Sequence, residues 1–153
     1  MPRERTSSGQ SFDFAPTAHG RAGSLRAYGA KLADCFGLPE PPSHVTRTLR
    51  HGLFAVSELQ TNVPLSEPTA PLGYDDAFLL TVQLKDIVDH EYWLDGQSVR
   101  HGPIRAGMTY VHDLRKDPRA LVRQPAHAVH FYIPLATLNG FAEQEGFAAI
   151  RSR

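Results

Sequence analysis

The 153-residue chain has a single cysteine, Cys35, and no formal net charge. One thiol excludes an intrachain disulfide and any zinc site built from several cysteines. Sixteen Lys and Arg balance sixteen Asp and Glu, which leaves no surplus of positive charge for holding a phosphate backbone. No apolar run approaches the ~20 residues that a membrane helix needs. The opening Met1-Pro2-Arg3-Glu4-Arg5 lacks the apolar stretch of a signal peptide. The expectation is a cytoplasmic protein that keeps off the membrane. The sequence also lacks a phosphate loop, a dinucleotide fingerprint and a Gly-x-Ser-x-Gly nucleophile elbow, and it shows no internal repeat.

What is present fits one ordinary domain. Apolar residues make up 41% and charged residues 21%, a globular balance, and a domain near this length buries roughly 70% of its unfolded surface. Residues 1–22 are rich in Ser, Gly, Pro and Thr without periodicity, which predicts a flexible tail ahead of a domain spanning 23–153. Leu25, Tyr28, Leu32 and Phe36 fall at helical spacing between a capping Ser24 and a terminating Gly37, predicting a short helix. Leu38-Pro39-Glu40-Pro41-Pro42 then reads as an extended connector.

Strand signals follow at Val45–His51, Leu53–Gln60, Ala77–Leu84, His90–Leu94, Gln97–Val99, Gly107–Leu114, Ala120–Arg123 and Ala128–Ile133. Asn62 to Gly73, with three prolines, reads as a loop. Ala77–Leu84 alternates cleanly, with Phe78, Leu80, Val82 and Leu84 on one face. Asp95-Gly96 is a tight-turn dipeptide that predicts a hairpin. Leu135, Leu138, Phe141 and Ala142 form the apolar stripe of a terminal helix that Gly146 stops. Short strands framed by helices predict a small sandwich or barrel, mainly β.

Eight histidines are many for this length. His90, His112, His127 and His130 lie on or beside strands of the second half, and imidazoles from separate strands can meet on one ion. His127 and His130, three apart, point to opposite faces of a strand. No His-x-His pair exists to place two imidazoles on one side. The readings are a metal site or partly buried, hydrogen-bonded histidines, and the expectation is no metal and no other cofactor. Cys35, with no His or Asn near it in sequence, reads as an idle thiol.

The aromatics offer a different lead. By alternation His90 and Tyr92 share one face, Tyr110 and His112 another, and His130 and Tyr132 a third. Turned inward, these faces line a small-molecule cavity with apolar walls and polar tips. Turned outward, they leave Leu94, Val111, Val129, Phe131 and Ile133 to fill the core. The ligand-contact candidates are Tyr92, Tyr110, His112, His90 and His130, with no catalytic residue expected.

Tyr92-Trp93-Leu94-Asp95-Gly96, Pro103-Ile104-Arg105-Ala106-Gly107-Met108-Thr109, Asp113-Leu114-Arg115-Lys116-Asp117-Pro118 and His130-Phe131-Tyr132-Ile133-Pro134, in that order, resemble the N-terminal regulatory domain of AraC-type bacterial transcription regulators. Leu49-Arg50-His51 and Phe78 to Leu84 fit as well, and the likeness covers roughly Val45 to Gly146. The resemblance implies a cupin-like double-stranded β-helix barrel followed by dimerisation helices, with a small effector in the barrel acting on a separate C-terminal DNA-binding domain. This chain departs from the family pattern: it stops at Arg153, about where those helices would be continuing, and carries no helix-turn-helix. The expected partners are therefore a small-molecule effector, a second copy in the full-length protein, and DNA only through a domain outside this chain. The alternative is a metal-dependent cupin enzyme, a dioxygenase or isomerase, using some of the four histidines.

Overall fold

A computed structural model describes residues 30–38, 43–47 and 53–151. The expected tail over 1–22, the start of the first helix at Ser24 and the end of the first strand at His51 lie outside the described residues. Helix α1 is described over residues 30–35. The strands are β1 (Ser43–Arg47), β2 (Leu53–Thr61), β3 (Ala77–Gln83), β4 (His90–Leu94), β5 (Gln97–Val99), β6 (Thr109–Asp113), β7 (Arg119–Val122) and β8 (Ala126–Pro134). A 3-10 turn, Leu114–Lys116, separates β6 from β7, and helix α2 (Leu135–Gln144) follows β8.

The strands form a five-stranded sheet in the order β1-β2-β8-β3-β6 and a three-stranded sheet in the order β5-β4-β7. All pairings are antiparallel, and the long-range ones are nested: β3 pairs with β8, and β4, inside it in sequence, pairs with β7. The chain crosses from one sheet to the other between β3 and β4, between β5 and β6, and at both ends of β7. That winding gives a mainly β double-sheet barrel with short helices, in agreement with the sequence expectation.

Local chemistry explains the punctuation. Asp95 and Gly96 both take positive φ, 48° and 73°, the two-residue turn whose twist suits a hairpin. The Asp95 N–H donates to the Lys116 carbonyl at 2.7 Å and ties that hairpin to the 3-10 turn. At the end of α2, Gly146 adopts φ 74°. Its N–H donates to the Glu143 carbonyl, and that of Phe147 to the Ala142 carbonyl, closing the helix in the glycine-dependent manner expected.

One end of the barrel is closed by an apolar cluster of Leu32, Ala33, Leu59, Leu72, Ala77, Leu79 and Leu114, with Phe36, Leu38 and Tyr132 packed against it. Leu72 comes from the proline-bearing loop, which is held to β7 by the Leu65 N–H on the Val122 carbonyl and the Thr69 N–H on the Ala120 carbonyl, both 2.8 Å.

The structure shows the alternation expected on β3 and which of its faces turns inward. Its fully buried residues are Ala77, Leu79, Thr81 and Gln83, while Phe78, Leu80 and Val82 are only half-buried on the other face. Leu84 lies beyond the strand and is exposed. On β8, Ala128 and His130 are buried, as the cavity reading of His130 expects, and Val129, Phe131 and Ile133 are half-buried on the outer face. The outer apolar row is partly covered by its own neighbours, including the Arg115 guanidinium 5.2 Å over the Phe78 ring. Alternation reports that a strand has two unlike faces; it does not report which one turns inward.

Candidate functional site

The polar inner faces enclose a cavity of about 660 Å³. Its walls are largely apolar, from Phe36, Leu59, Ile87, Leu94, Ile104 and Met108 among others, and every one of Tyr92, Tyr110, His112, His90 and His130 lines it. The structure thus brings together all five residues singled out from the sequence. Position in the pleat accounts for this: residues two apart on a strand share a face. His90, Tyr92 and Leu94 on β4, Tyr110 and His112 on β6, and Ala128 and His130 on β8 all turn inward. Register then sets the neighbours, Thr81 lying opposite both Tyr110 and His130.

These polar groups are paired with one another. The Tyr92 hydroxyl lies 2.6 Å from His112 Nδ1, and Thr81 Oγ1 lies 3.0 Å from His130 Nδ1. The Gln83 amide nitrogen donates to the carbonyls of Lys85 at 2.8 Å and His127 at 3.1 Å. Its Oε1 accepts from the Tyr110 hydroxyl at 2.8 Å. The exception is His90, whose two ring nitrogens are buried with no hydrogen-bond partner among the described residues. Rings stack into a continuous corner: His101 sits 5.0 Å edge-on from Tyr92 and 6.4 Å from His90, and His112 sits 5.2 Å from Tyr92 and 5.4 Å from Tyr110.

Burial holds the imidazoles neutral. Desolvation first, then the nearby His101, pushes His112 down to about 4. Desolvation, then His112, pushes His130 down to about 3. His90 is lowered by the same desolvation and by His101, against an opposing pull from Asp89. Desolvation likewise raises the Tyr92 and Tyr110 phenols to about 12. His127 stands apart on the outer face, its Nε2 2.6 Å from Glu58 Oε1.

Sequence reasoning missed His101, Thr81 and Gln83. His101 lies between strands, where alternation gives no direction. Thr81 and Gln83 sit on the face of β3 that the apolar pattern turns outward. Among the described residues, no group of three or more His, Cys, Asp or Glu is placed to hold one metal ion. His112 turns Nδ1 toward the Tyr92 hydroxyl of the other sheet, and His130 toward the Thr81 hydroxyl on the adjacent strand.

No protein-family model matches the chain, and no curated protein matches it by sequence. The chain is similar to solved structures at low identity. A cupin superfamily protein from Desulfitobacterium hafniense aligns over 60% of this chain and 75% of its own, at 10% identity and a TM-score of 0.42. The Cupin_2 domain of an XRE family transcriptional regulator from Enterobacter cloacae aligns over 52% of this chain and 80% of its own, at 12% identity and a TM-score of 0.38. KdgF from a Halomonas species aligns over 60% and 78%, at 10% identity and a TM-score of 0.42. The described residues include no helix long and apolar enough to cross a membrane.

Proposed function

We propose that this barrel is the effector-sensing and dimerisation domain of an AraC-type bacterial transcription regulator, binding a small organic molecule without chemical turnover. The observation that carries the reading is the cavity: about 660 Å³, apolar-walled, with His90, Tyr92, Tyr110, His112 and His130 as its polar tips. That is the size and makeup of a small-molecule site. The regulator-like motifs supply the rest of the support. Tyr92-Trp93-Leu94-Asp95-Gly96 is the β4 strand and its turn, Pro103 to Thr109 leads into β6, Asp113 to Pro118 is the 3-10 corner, and His130 to Pro134 is the end of β8.

An effector acts by preferring one conformation of the regulator, and a tenfold preference is only ~1.4 kcal/mol. Neutral imidazoles engaged by Tyr92 and Thr81 suit recognition. Phe141 and Phe147, 59% and 68% exposed on and after α2, are the apolar surface offered to a second copy. The test is metal analysis of the purified protein together with a thermal-shift screen of small organic molecules. The expected result is no stoichiometric metal and a melting increase that is lost in His112→Ala and Tyr110→Ala. Stoichiometric zinc, iron or manganese held by the cavity histidines would overturn the reading in favour of a metal-dependent enzyme.

A further inference from the structure

The lining of the cavity is short of charge. Among the described residues that line it, only Asp113 and Lys116 are Asp, Glu, Lys or Arg. Asp113 is already engaged, both carboxylate oxygens accepting from the Arg115 guanidinium at 2.7 and 2.8 Å, and Lys116 is exposed. Every other polar group facing the cavity is a hydroxyl, an amide or an imidazole. Among the described residues, the exposed Lys116 aside, an anion or a cation leaving water for this space meets no free counter-charge, and an unpaired charge against apolar walls is disfavoured.

The hydrogen bonds also show which polar atoms remain on offer. The Tyr92 hydroxyl is paired with His112 Nδ1 at 2.6 Å. A neutral imidazole has one N–H; in the tautomer in which Tyr92 donates to Nδ1, His112 carries it on Nε2 and presents a donor. Because both Gln83 amide hydrogens are spent on backbone carbonyls, its oxygen is fixed as the acceptor and Tyr110 as the donor. Among the described residues, His90 presents one donor and one acceptor with nothing to meet either, a costly arrangement for buried groups unless a bound molecule supplies the partners.

We infer that the cavity takes an uncharged molecule with an apolar body and a carbonyl- or hydroxyl-type group seated in the corner formed by His90, Tyr92, His101 and His112. This rests on the sensing role of the same cavity and specifies the chemical class of its ligand. The low proton affinity of the buried imidazoles points the same way, since a carboxylate ligand would require one of them to be protonated.

The experiment uses four probes of one shape at pH 8: 2-acetylnaphthalene, 2-ethylnaphthalene, 2-naphthoate and 2-(aminomethyl)naphthalene. Binding to the full chain is measured by equilibrium dialysis, with circular dichroism as the check on folding. The ketone is expected to bind at least tenfold more tightly than the anion or the cation. It should also bind more tightly than the hydrocarbon, and His112→Phe should erase that last advantage without loosening the hydrocarbon. A naphthoate or amine that binds as well as the ketone would overturn the inference, as would a hydrocarbon equal to the ketone or binding by none of the four. A charged winner would leave the sensing role standing, whereas stoichiometric metal in the purified protein would remove that role whichever probe bound.

Discussion

On the side of the five-stranded sheet turned into the barrel, Ser57, Thr61, Thr81, Gln83 and His130 are at most 9% exposed. On the opposite side of the same strands, Phe78, Leu80, Val82, Val129, Phe131 and Ile133 are half-buried. Polarity is thus distributed the reverse way from a sheet that simply packs on a core. The interior contains two regions in series. Near α1 and the 3-10 turn, Leu32, Leu72, Leu79 and Leu114 fill space and stabilise the fold. Further along the barrel, Thr81, Gln83, Tyr92, Tyr110 and the histidines border open volume. Those buried polar groups contribute little net stability, because each hydrogen bond largely replaces one made to water. Their arrangement fits the proposed ligand better than a role in holding the chain together.

Adjacent residues test this division most sharply. Leu79 is 4% exposed in the apolar cluster, while Leu80 lies half-buried on the outer face. Leu79→Ala should cost about 2–5 kcal/mol of unfolding free energy, the range for emptying a packed core position. Leu80→Ala should cost less than half as much, and urea unfolding of the pair gives the comparison directly. Equal losses would mean that the outer row is as much a core as the inner cluster.

Acid probes the polar region. The folded-state pKa values of His112 and His130 lie below their ordinary value of about 6.5. The folded protein therefore binds fewer protons than the unfolded chain across that interval, and stability rises with pH there. It is complete above about pH 6.5 and falls as the pH drops toward about 4 for His112 and about 3 for His130, at about 1 kcal/mol per unit for each histidine. Urea midpoints at pH 7.5, 6 and 5 should decline in step, and His112→Phe should give a shallower decline. A flat profile would mean that these imidazoles are solvated and that the inner face is not sealed.

The smallest effect belongs to the rim of the outer face. Val111 is 59% exposed, so Val111→Thr should change stability by no more than about 0.5 kcal/mol. A larger loss would mean that this end of the outer row is covered in solution.

Strand existence was legible from the sequence because turn chemistry is local. Asp95-Gly96 and the Gly146 stop were each read from a few residues and match the structure. The shared face of His90 and Tyr92, and that of Tyr110 and His112, followed from a two-residue period, which does not say whether the face turns inward. What escaped was information carried between strands. The inward choice on β3 depends on Thr81 meeting His130 and Gln83 meeting Tyr110, contacts 49 and 27 residues apart. An apolar-in rule applied to β3 alone selects the wrong side. His101 escaped because its position is set by the return of the chain past Tyr92, not by a strand's pleat.

The passage from β8 into α2 has a mechanical meaning. His130 and Leu135 belong to one uninterrupted run of secondary structure, with Pro134 as the only joint between strand and helix. Beyond the helix, the Asn139 side chain clasps Ile150, its amide donating to the Ile150 carbonyl at 3.1 Å and its oxygen accepting from the Ile150 N–H at 2.7 Å. The cavity-lining His130 and helix α2 are thus joined through a single residue, Pro134. A ten-residue helix is about 15 Å long, so a tilt of about 5° at Pro134 swings its far end by about 1 Å. The clasp carries residues 146–150 along with that swing.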